Sequence, residues 1–325
     1  GEQAFLYCEN LTSLTLADTV TYIGDSAFYG CQNLTGNLDI PEGVTQVGFG
    51  AFDFCTALES ITFPEGVKYL DMDTFYGCRS LKEVNIPASM YGVNNTAFQD
   101  CPALENINVA QDNTYLCSED GILMNKEKTS LYKYLPGNPD KEYSVRKGIE
   151  NISEWAFSDC MNLEAITIPE SLSYISDYTF WGCSNLNSVT LPYTLKFICE
   201  NAFYGCSSIT DVYYGGSEEM WNELIIEEGN ENLQNATIHF SDNPPMDPED
   251  MTLYLGDANL DGTVNVKDAT IIQKYVASLV EFSDVQLHVA DADITANVNV
   301  KDATAVQKYC AGIFVLYPIG EEMLW

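Results

Sequence analysis

The apolar positions of the first two thirds of the chain recur in one phrase: Ala-Phe, two further residues, Cys, two more, Leu, and then an apolar–polar–apolar alternation. Its Phe falls at Phe5, Phe28, Phe52, Phe75, Phe98, Phe157, Phe180 and Phe203, 23 or 24 residues apart except across one interruption. A unit of that length cannot bury its own apolar face, so each coil is closed only by its neighbours and a solenoid is predicted. Within one unit Leu58, Ile61 and Phe63 should point inward and Ser60 and Thr62 outward, the period-two pattern of a short half-buried strand. Pro41, Pro64, Pro87, Pro169 and Pro192 then stop the strand, because proline has no N–H to give a continuing ladder. The chain turns toward the next apolar pair, such as Val67 and Leu70. The predicted sheet is narrow and parallel.

Past Pro244, Pro245 and Pro248 the pattern changes and a repeat of 34 residues begins. Residues 256–277 and 290–311 share Asp-Ala, then Val-Asn-Val-Lys-Asp-Ala-Thr, then Gln-Lys-Tyr. Each copy reads as a loop followed by an amphipathic helix, roughly 267–279 and 301–313, with no such helix expected before either loop. The first loop places Asp257, Asn259, Asp261, Asn265 and Asp268 at positions 1, 3, 5, 9 and 12 of a calcium loop, with Gly262 at the sharp turn and the Thr263 carbonyl between. Calcium takes six to eight oxygens at about 2.3–2.6 Å, which this donor set supplies, Asn265 through a water. The second loop offers Asp291, Asp293, Asn299 and Asp302, with Thr295 and Asn297 between them. Thr295 brings no charge, and Ala296 stands where glycine should enter the left-handed region, a cost of roughly 1–2 kcal/mol. Two Ca2+ ions are therefore expected, the second held more weakly. Val264 and Val298 are expected to join the loops by a short strand pairing.

Charge narrows the partners. Of 325 residues, 14 are Lys or Arg and 48 are Asp or Glu, a formal charge of −34 that repels phosphate backbones and argues against nucleic acid. No apolar run approaches the roughly 20 residues a membrane span needs. The chain starts at Gly1-Glu2-Gln3-Ala4 without a basic-then-apolar leader, and its first residues match the middle of a later repeat. It reads as a mature or trimmed fragment.

Eight of the eleven cysteines, Cys8, Cys31, Cys55, Cys78, Cys101, Cys160, Cys183 and Cys206, share one repeat position. That phase predicts an interior row of free thiols acting as small apolar fillers rather than a disulfide framework, although neighbouring coils come close enough for occasional oxidation. No Cys-x-x-Cys pair or adjacent His supports zinc or a nucleophile. The outward strand positions Ser13, Thr15, Ser60, Thr62, Glu83, Asn85, Asn106, Asn108, Thr167, Ser188, Thr190, Asp211 and Tyr213 make a small polar face, either plainly solvated or protein-binding. A second stripe, Tyr7, Tyr29, Tyr76, Trp181 and Tyr204, follows the repeat Phe; it is a candidate ligand row or intercoil packing. His239 and His288 are the only histidines, and neither Gly-x-Ser-x-Gly nor His-Glu-x-x-His occurs, so no catalytic residue is assigned.

The run Ile23-Gly24-Asp25-Ser26-Ala27-Phe28-Tyr29-Gly30-Cys31 resembles the BspA-like leucine-rich repeats of bacterial surface and secreted proteins. The resemblance covers residues 1–241. It extends to a hairpin insertion at about 110–148, through Asp120-Gly121-Ile122-Leu123 and Tyr134-Leu135-Pro136-Gly137, and to a closing cap at about 211–241, through Asp211-Val212-Tyr213-Tyr214 and Trp221-Asn222-Glu223-Leu224. After an acidic, Pro-containing linker at 242–252, residues 253–318 resemble a type I dockerin, in wording close to those of ruminococcal cellulosomes, and 319–325 form a tail. This likeness implies a cohesin module of a scaffoldin as partner. It places the contacts at Val266, Lys267, Gln273, Lys274 and Ser278, mirrored by Val300, Lys301, Gln307, Lys308 and Gly312; one binding orientation or two stay open. It also implies a clasp of Tyr254 on Pro318. The expected fold is an α/β-type repeat solenoid with short parallel strands, followed by a small α-helical dockerin of two calcium loop–helix (F-hand) units. The expected function is that of a non-catalytic, secreted cellulosome component, attached to a cell surface through a scaffoldin, whose repeat domain serves protein or cell-surface binding. The alternatives are a plant-cell-wall carbohydrate-binding module and, further off, a dockerin-borne enzyme.

Overall fold

A computed structural model describes residues 1–241, 256, 258–259, 263–278, 286, 290 and 298–310, and divides the chain into two units, Gly1–Asn243 and Pro244–Trp325. Among the described residues no helix is long and apolar enough to cross a membrane.

The first unit is a solenoid whose strands are short and parallel, as their alternation predicts. Strands Gly36–Asp39, Leu58–Thr62, Glu83–Ile86 and Asn106–Val109 form one sheet in chain order. Strands Glu142–Ser144, Ala165–Thr167, Ser188–Leu191, Asp211–Tyr214 and Thr237–Phe240 form a second. Register follows the repeat: Ser60 pairs with Glu83, Ile61 with Val84 and Thr62 with Asn85. Leu58, Ile61, Val67 and Leu70 are fully buried, and Thr62 is exposed.

Opposite the strands, the repeat Phe rings stack face to face along the axis. Phe5, Phe28, Phe52, Phe75 and Phe98 make one run and Tyr134, Phe157, Phe180 and Phe203 another, with centroids 4.9–5.7 Å apart. The backbone beneath them carries its own intercoil ladder: Phe28 N–H donates to the Ala51 carbonyl (2.8 Å), Phe52 to Thr74 (3.0 Å) and Phe75 to Ala97 (2.9 Å). The residue two after each Phe lies in the left-handed region. Gly30, Gly77, Gly182 and Gly205 fill that position without strain, while Tyr7, Phe54, Asp100 and Asp159 hold it at φ 50–59°.

The cysteine row is buried except at Cys8 on the first coil, which the sequence had placed inside and which is exposed, as is Phe5. All eleven thiols are free. The repeat cysteines are more than fillers. Cys31 Sγ donates to the Phe5 carbonyl (3.1 Å), Cys55 to Phe28 (3.2 Å), Cys78 to Phe52 (3.1 Å), Cys183 to Phe157 (2.9 Å) and Cys206 to Phe180 (3.1 Å). Each thiol thus ties its coil to the one before. Burial raises Cys78 well above the ordinary thiol range and pushes Cys101 up to about 12, so both stay protonated and inert.

The stretch around 110–148 has two parts. Leu116–Glu119, Ile122–Asn125 and Ser130–Tyr134 form an antiparallel meander. From Ser130 the chain runs as a coil again, parallel to Asn151–Ile152. Tyr134 takes the place of Phe, donating its N–H to Ala156 (2.8 Å) and accepting from Cys160 Sγ (3.7 Å). This coil lacks the Phe-x-x-Cys signature and was invisible to repeat counting.

In the second unit two helices, Val266–Val276 and Val300–Cys310, pack through a core of Ala258, Ala269, Ile272, Ala290, Ala303, Ala305 and Val306. Val264 and Val298 are half-buried against that core in irregular backbone rather than in a strand. Gln286 and Ala290 are helical, although no helix was expected ahead of the second loop.

Candidate functional site

The two helices begin on the same construction. In the first, Asn265 caps the helix: its Oδ1 accepts from Lys267 N–H (2.9 Å), while Asp268 Oδ2 accepts from Asn265 N–H (2.8 Å). The second repeats it, Asn299 Oδ1 accepting from Lys301 N–H (2.9 Å) and Asp302 Oδ2 from Asn299 N–H (2.7 Å). Asp268 Oδ1 also accepts from Asn259 N–H (3.0 Å), which draws the loop back onto the helix start. Both aspartates are fully buried. Asn265 and Asn299 therefore have a capping role that the sequence did not assign, beside any part in a loop.

Of the proposed metal ligands, the structure brings Asn259, Thr263, Asn265 and Asp268 together on the first loop, and Asn299 and Asp302 on the second. Asp257, Asp261, Asp291, Asp293, Thr295 and Asn297 lie outside the described residues, as do Gly312, the side chain of Lys308 and the Tyr254–Pro318 clasp. The donors are all oxygen, a set that fits a hard cation.

The proposed contact residues stand on the outside of the helix pair. Val266 is 63% exposed and Val300 58%, and Lys267, Gln273, Lys274, Ser278, Lys301 and Gln307 are exposed as well. Each helix thus starts on an exposed apolar side chain beside a lysine, the same pair in both copies.

On the solenoid, the polar strand face is partly tied to itself. Asn85 Nδ2 donates to Thr62 Oγ1 (3.2 Å) and Asn108 Nδ2 to Asn85 Oδ1 (2.9 Å). The aromatic stripe is not a single row. Phe54, two residues after its repeat Phe, inserts between Tyr29 and Tyr76 with edge-on contacts of 5.7 and 5.3 Å, whereas Trp181 and Tyr204 stack at 4.3 Å.

Sequence reasoning missed Asp53, which takes the stripe position between Tyr29 and Tyr76. It is 8% exposed and its Oδ1 has no hydrogen-bond partner among the described residues. Burial, reinforced by the nearby Asp73 and opposed by the Phe54 N–H, pushes its carboxyl up to about 7. The folded chain therefore holds this proton more tightly than the unfolded chain, and stability falls as pH rises from about 4 to about 7. Asp53→Asn is expected to stabilise the repeat unit by about 2 kcal/mol at pH 8, allowing for partial relaxation of a shift worth about 1.4 kcal/mol per pH unit, and by almost nothing at pH 4. Thermal melts of both proteins across that range measure it; a pH-independent difference would refute the assignment.

Comparison with known proteins follows this division. Residues 1–120 and 140–241 match the BspA type leucine rich repeat region in 6 copies, and residues 255–311 match the dockerin type I domain. No curated protein matches the chain. A leucine-rich repeat protein from Eubacterium ventriosum is similar at 22% identity and a TM-score of 0.57, over 64% of this chain and 60% of that one. The pneumococcal vaccine antigen PcpA is similar at 22% identity and a TM-score of 0.52, over 61% of this chain and 54% of that one. The chain thus spans less than two thirds of either relative, and the likeness is one of fold.

Proposed function

Because the chain belongs to the BspA type leucine rich repeat family and carries a type I dockerin domain behind its repeats, we propose that it is a non-catalytic component of an extracellular cohesin–dockerin assembly. Leucine-rich repeats and dockerins are both non-catalytic families. In this reading the dockerin binds a scaffoldin cohesin in a calcium-dependent manner, and the scaffoldin holds the protein at a cell surface. The repeat unit then presents its polar strand face, with Thr62, Asn85 and Asn108, to a protein or surface ligand.

Calcium would be held by Asp257, Asn259, Asp261, Thr263, Asn265 and Asp268, and a second, weaker ion by Asp291, Asp293, Thr295, Asn297, Asn299 and Asp302. The ion supplies charge compensation for carboxylates crowded on short loops. The chain's own residues set the helix starts, through the Asn265–Asp268 and Asn299–Asp302 hydrogen bonds.

The observation that carries the reading is the duplicated, exposed Val-Lys pair at the start of each helix, Val266-Lys267 and Val300-Lys301. With both faces alike, cohesin can dock in either of two orientations. A face disabled by Val266→Asp with Lys267→Glu should then weaken binding less than about tenfold, as should the matching pair at Val300 and Lys301, while all four changes together should weaken it by about a hundredfold or more. Titration of the full chain against cohesin modules measures this. Abolition by one face alone would reduce the docking to a single orientation, and intact binding by the quadruple variant would sink the proposal.

A further inference from the structure

Between the coils that flank the Tyr134 coil the solenoid surface opens into a groove of about 300 Å³, at the small end of the ~300–1,000 Å³ typical of ligand pockets. It is lined from coils on both sides, by Tyr76 and Gln99 from one and Trp155 and Trp181 from the other, and the intervening coil adds no lining residue among those described. The groove lies on the repeat-Phe side of the coils and does not involve Thr62, Asn85 or Asn108.

Its aromatic wall is held rigid. Trp155 stacks on Tyr178 with centroids 4.3 Å apart and planes 7° from parallel, and Trp181 stacks on Tyr204 at 4.3 Å and 19°. Beneath the wall, Lys133 is 3% exposed and donates from Nζ to the Trp155 carbonyl (2.9 Å) and to Ser158 Oγ (2.7 Å), which fixes the turn carrying Trp155 and Asp159. Each indole has one face covered by a tyrosine, so its position does not depend on a ligand.

The polar lining selects among ligands. Arg79 donates from Nε and Nη2 to Asp100 Oδ2 (3.0 and 2.9 Å), so those charges largely cancel. Asp159 is half-buried; burial raises its carboxyl, with Lys133 opposing. With Lys133 beneath Asp159 and Arg79 on Asp100, two cations face two carboxylates, so neither ligand sign is favoured. Gln99 is 9% exposed and its Nε2, buried in the lining, has no partner among the described residues, a donor that a ligand oxygen would satisfy. Aromatic faces beside an amide, a carboxylate and a guanidinium match one chemistry: the apolar ring face and vicinal hydroxyls of a sugar.

We infer that this groove binds a neutral pyranose unit of an oligosaccharide, with Trp155 and Trp181 forming the platform and Gln99, Asp159 and Arg79 addressing its hydroxyls. This goes beyond cohesin docking and stands or falls independently of it. The test is titration of the full chain with cellohexaose, xylohexaose and mannohexaose, following tryptophan fluorescence and heat, with tetramethylammonium and polygalacturonate as cationic and anionic probes. At least one neutral oligosaccharide should bind and perturb the fluorescence. Gln99→Leu, which keeps the side chain's bulk, and Trp181→Phe, which keeps a ring on Tyr204, should each weaken binding about tenfold or more with the thermal midpoint retained. Saturable binding only of tetramethylammonium or only of polygalacturonate, no response to any neutral oligosaccharide at millimolar concentration, or neutral binding indifferent to both variants would each overturn the inference.

Discussion

Removal of calcium by excess chelator is expected to abolish cohesin binding and to melt the Val266–Val276 and Val300–Cys310 helices, while the repeat unit keeps its own cooperative transition. The expectation rests on the carboxylates crowded onto two short loops, whose repulsion is uncompensated without a cation. Among the described residues the helical unit's core includes Ala258, Ala269, Ala290, Ala303 and Ala305 with Ile272 and Val306, whereas the repeat unit holds stacked Phe rings and fully buried Leu, Ile and Val side chains. Alanine burial contributes little per residue, and Asp268 and Asp302 are fully buried carboxylates whose desolvation opposes folding. A cation bound only by the folded form supplies the difference, about 4 kcal/mol when it is present at a thousand times its Kd. Far-UV circular dichroism should show two transitions with calcium and one without. Asp257→Ala should reproduce most of the loss and Asp291→Ala less, because the second loop already has Thr295 and Ala296 in place of an acid and a glycine. Cohesin binding unchanged by chelator, or a larger effect at Asp291, would show the sites to be ranked wrongly.

The solenoid was legible because its signal is repeated. Phe, Cys, Leu and the strand alternation return at a fixed period, and a stacked fold turns sequence phase directly into spatial neighbours. The paired loop–helix units were legible for the same reason. What escaped is what occurs once. The coil through Tyr134 has Tyr for Phe and Gly137 for Cys, so its membership depends on backbone partners 22 to 26 residues away, which no local pattern reports. The capping role of Asn265 and Asn299 was hidden because the same residues also fit a calcium loop. Counting residues after each Phe predicted one aromatic stripe, yet Phe54, from the next position along, enters the row and divides it. Lys133 was hidden by its type: a lysine in the slot that holds Ala27, Ala51 and Ala156 reads as exposed, but its stem reaches across to Ser158 and Trp155.

The other large effect is expected at the closing end of the solenoid, where Asn230 substitutes for a missing coil. Upstream in the same run, the repeat Phe N–H donates to the next coil's carbonyl, Phe157 to Thr179 (2.8 Å) and Phe180 to Ala202 (2.7 Å). Phe203 has no such coil after it, and its N–H donates instead to Asn230 Oδ1 (2.9 Å). The same amide donates from Nδ2 to the carbonyls of Cys199 (2.9 Å) and Glu227 (3.0 Å), so one fully buried side chain satisfies three backbone groups. Asn230→Ala leaves the Phe203 donor buried and unpaired, at about 1–3 kcal/mol, and under-satisfies two carbonyls, the lesser penalty because the Cys199 oxygen keeps the Ala202 N–H. A total of about 3 kcal/mol is expected, which in a unit of this size lowers Tm by roughly 5–12 °C. Because coils are stabilised by their neighbours, the loss should also appear as fraying: amides of Phe203 and Cys206 should exchange faster while those of Phe52 and Phe75 do not. Asn85→Ala on the strand face, an asparagine bonded only to partly exposed side chains, is the control and should change stability by less than about 0.5 kcal/mol. Equal effects at the two asparagines would mean that the Asn230 amide does not stand in for a coil, and that the helices Glu218–Glu223 and Glu231–Gln234 close the solenoid by packing alone.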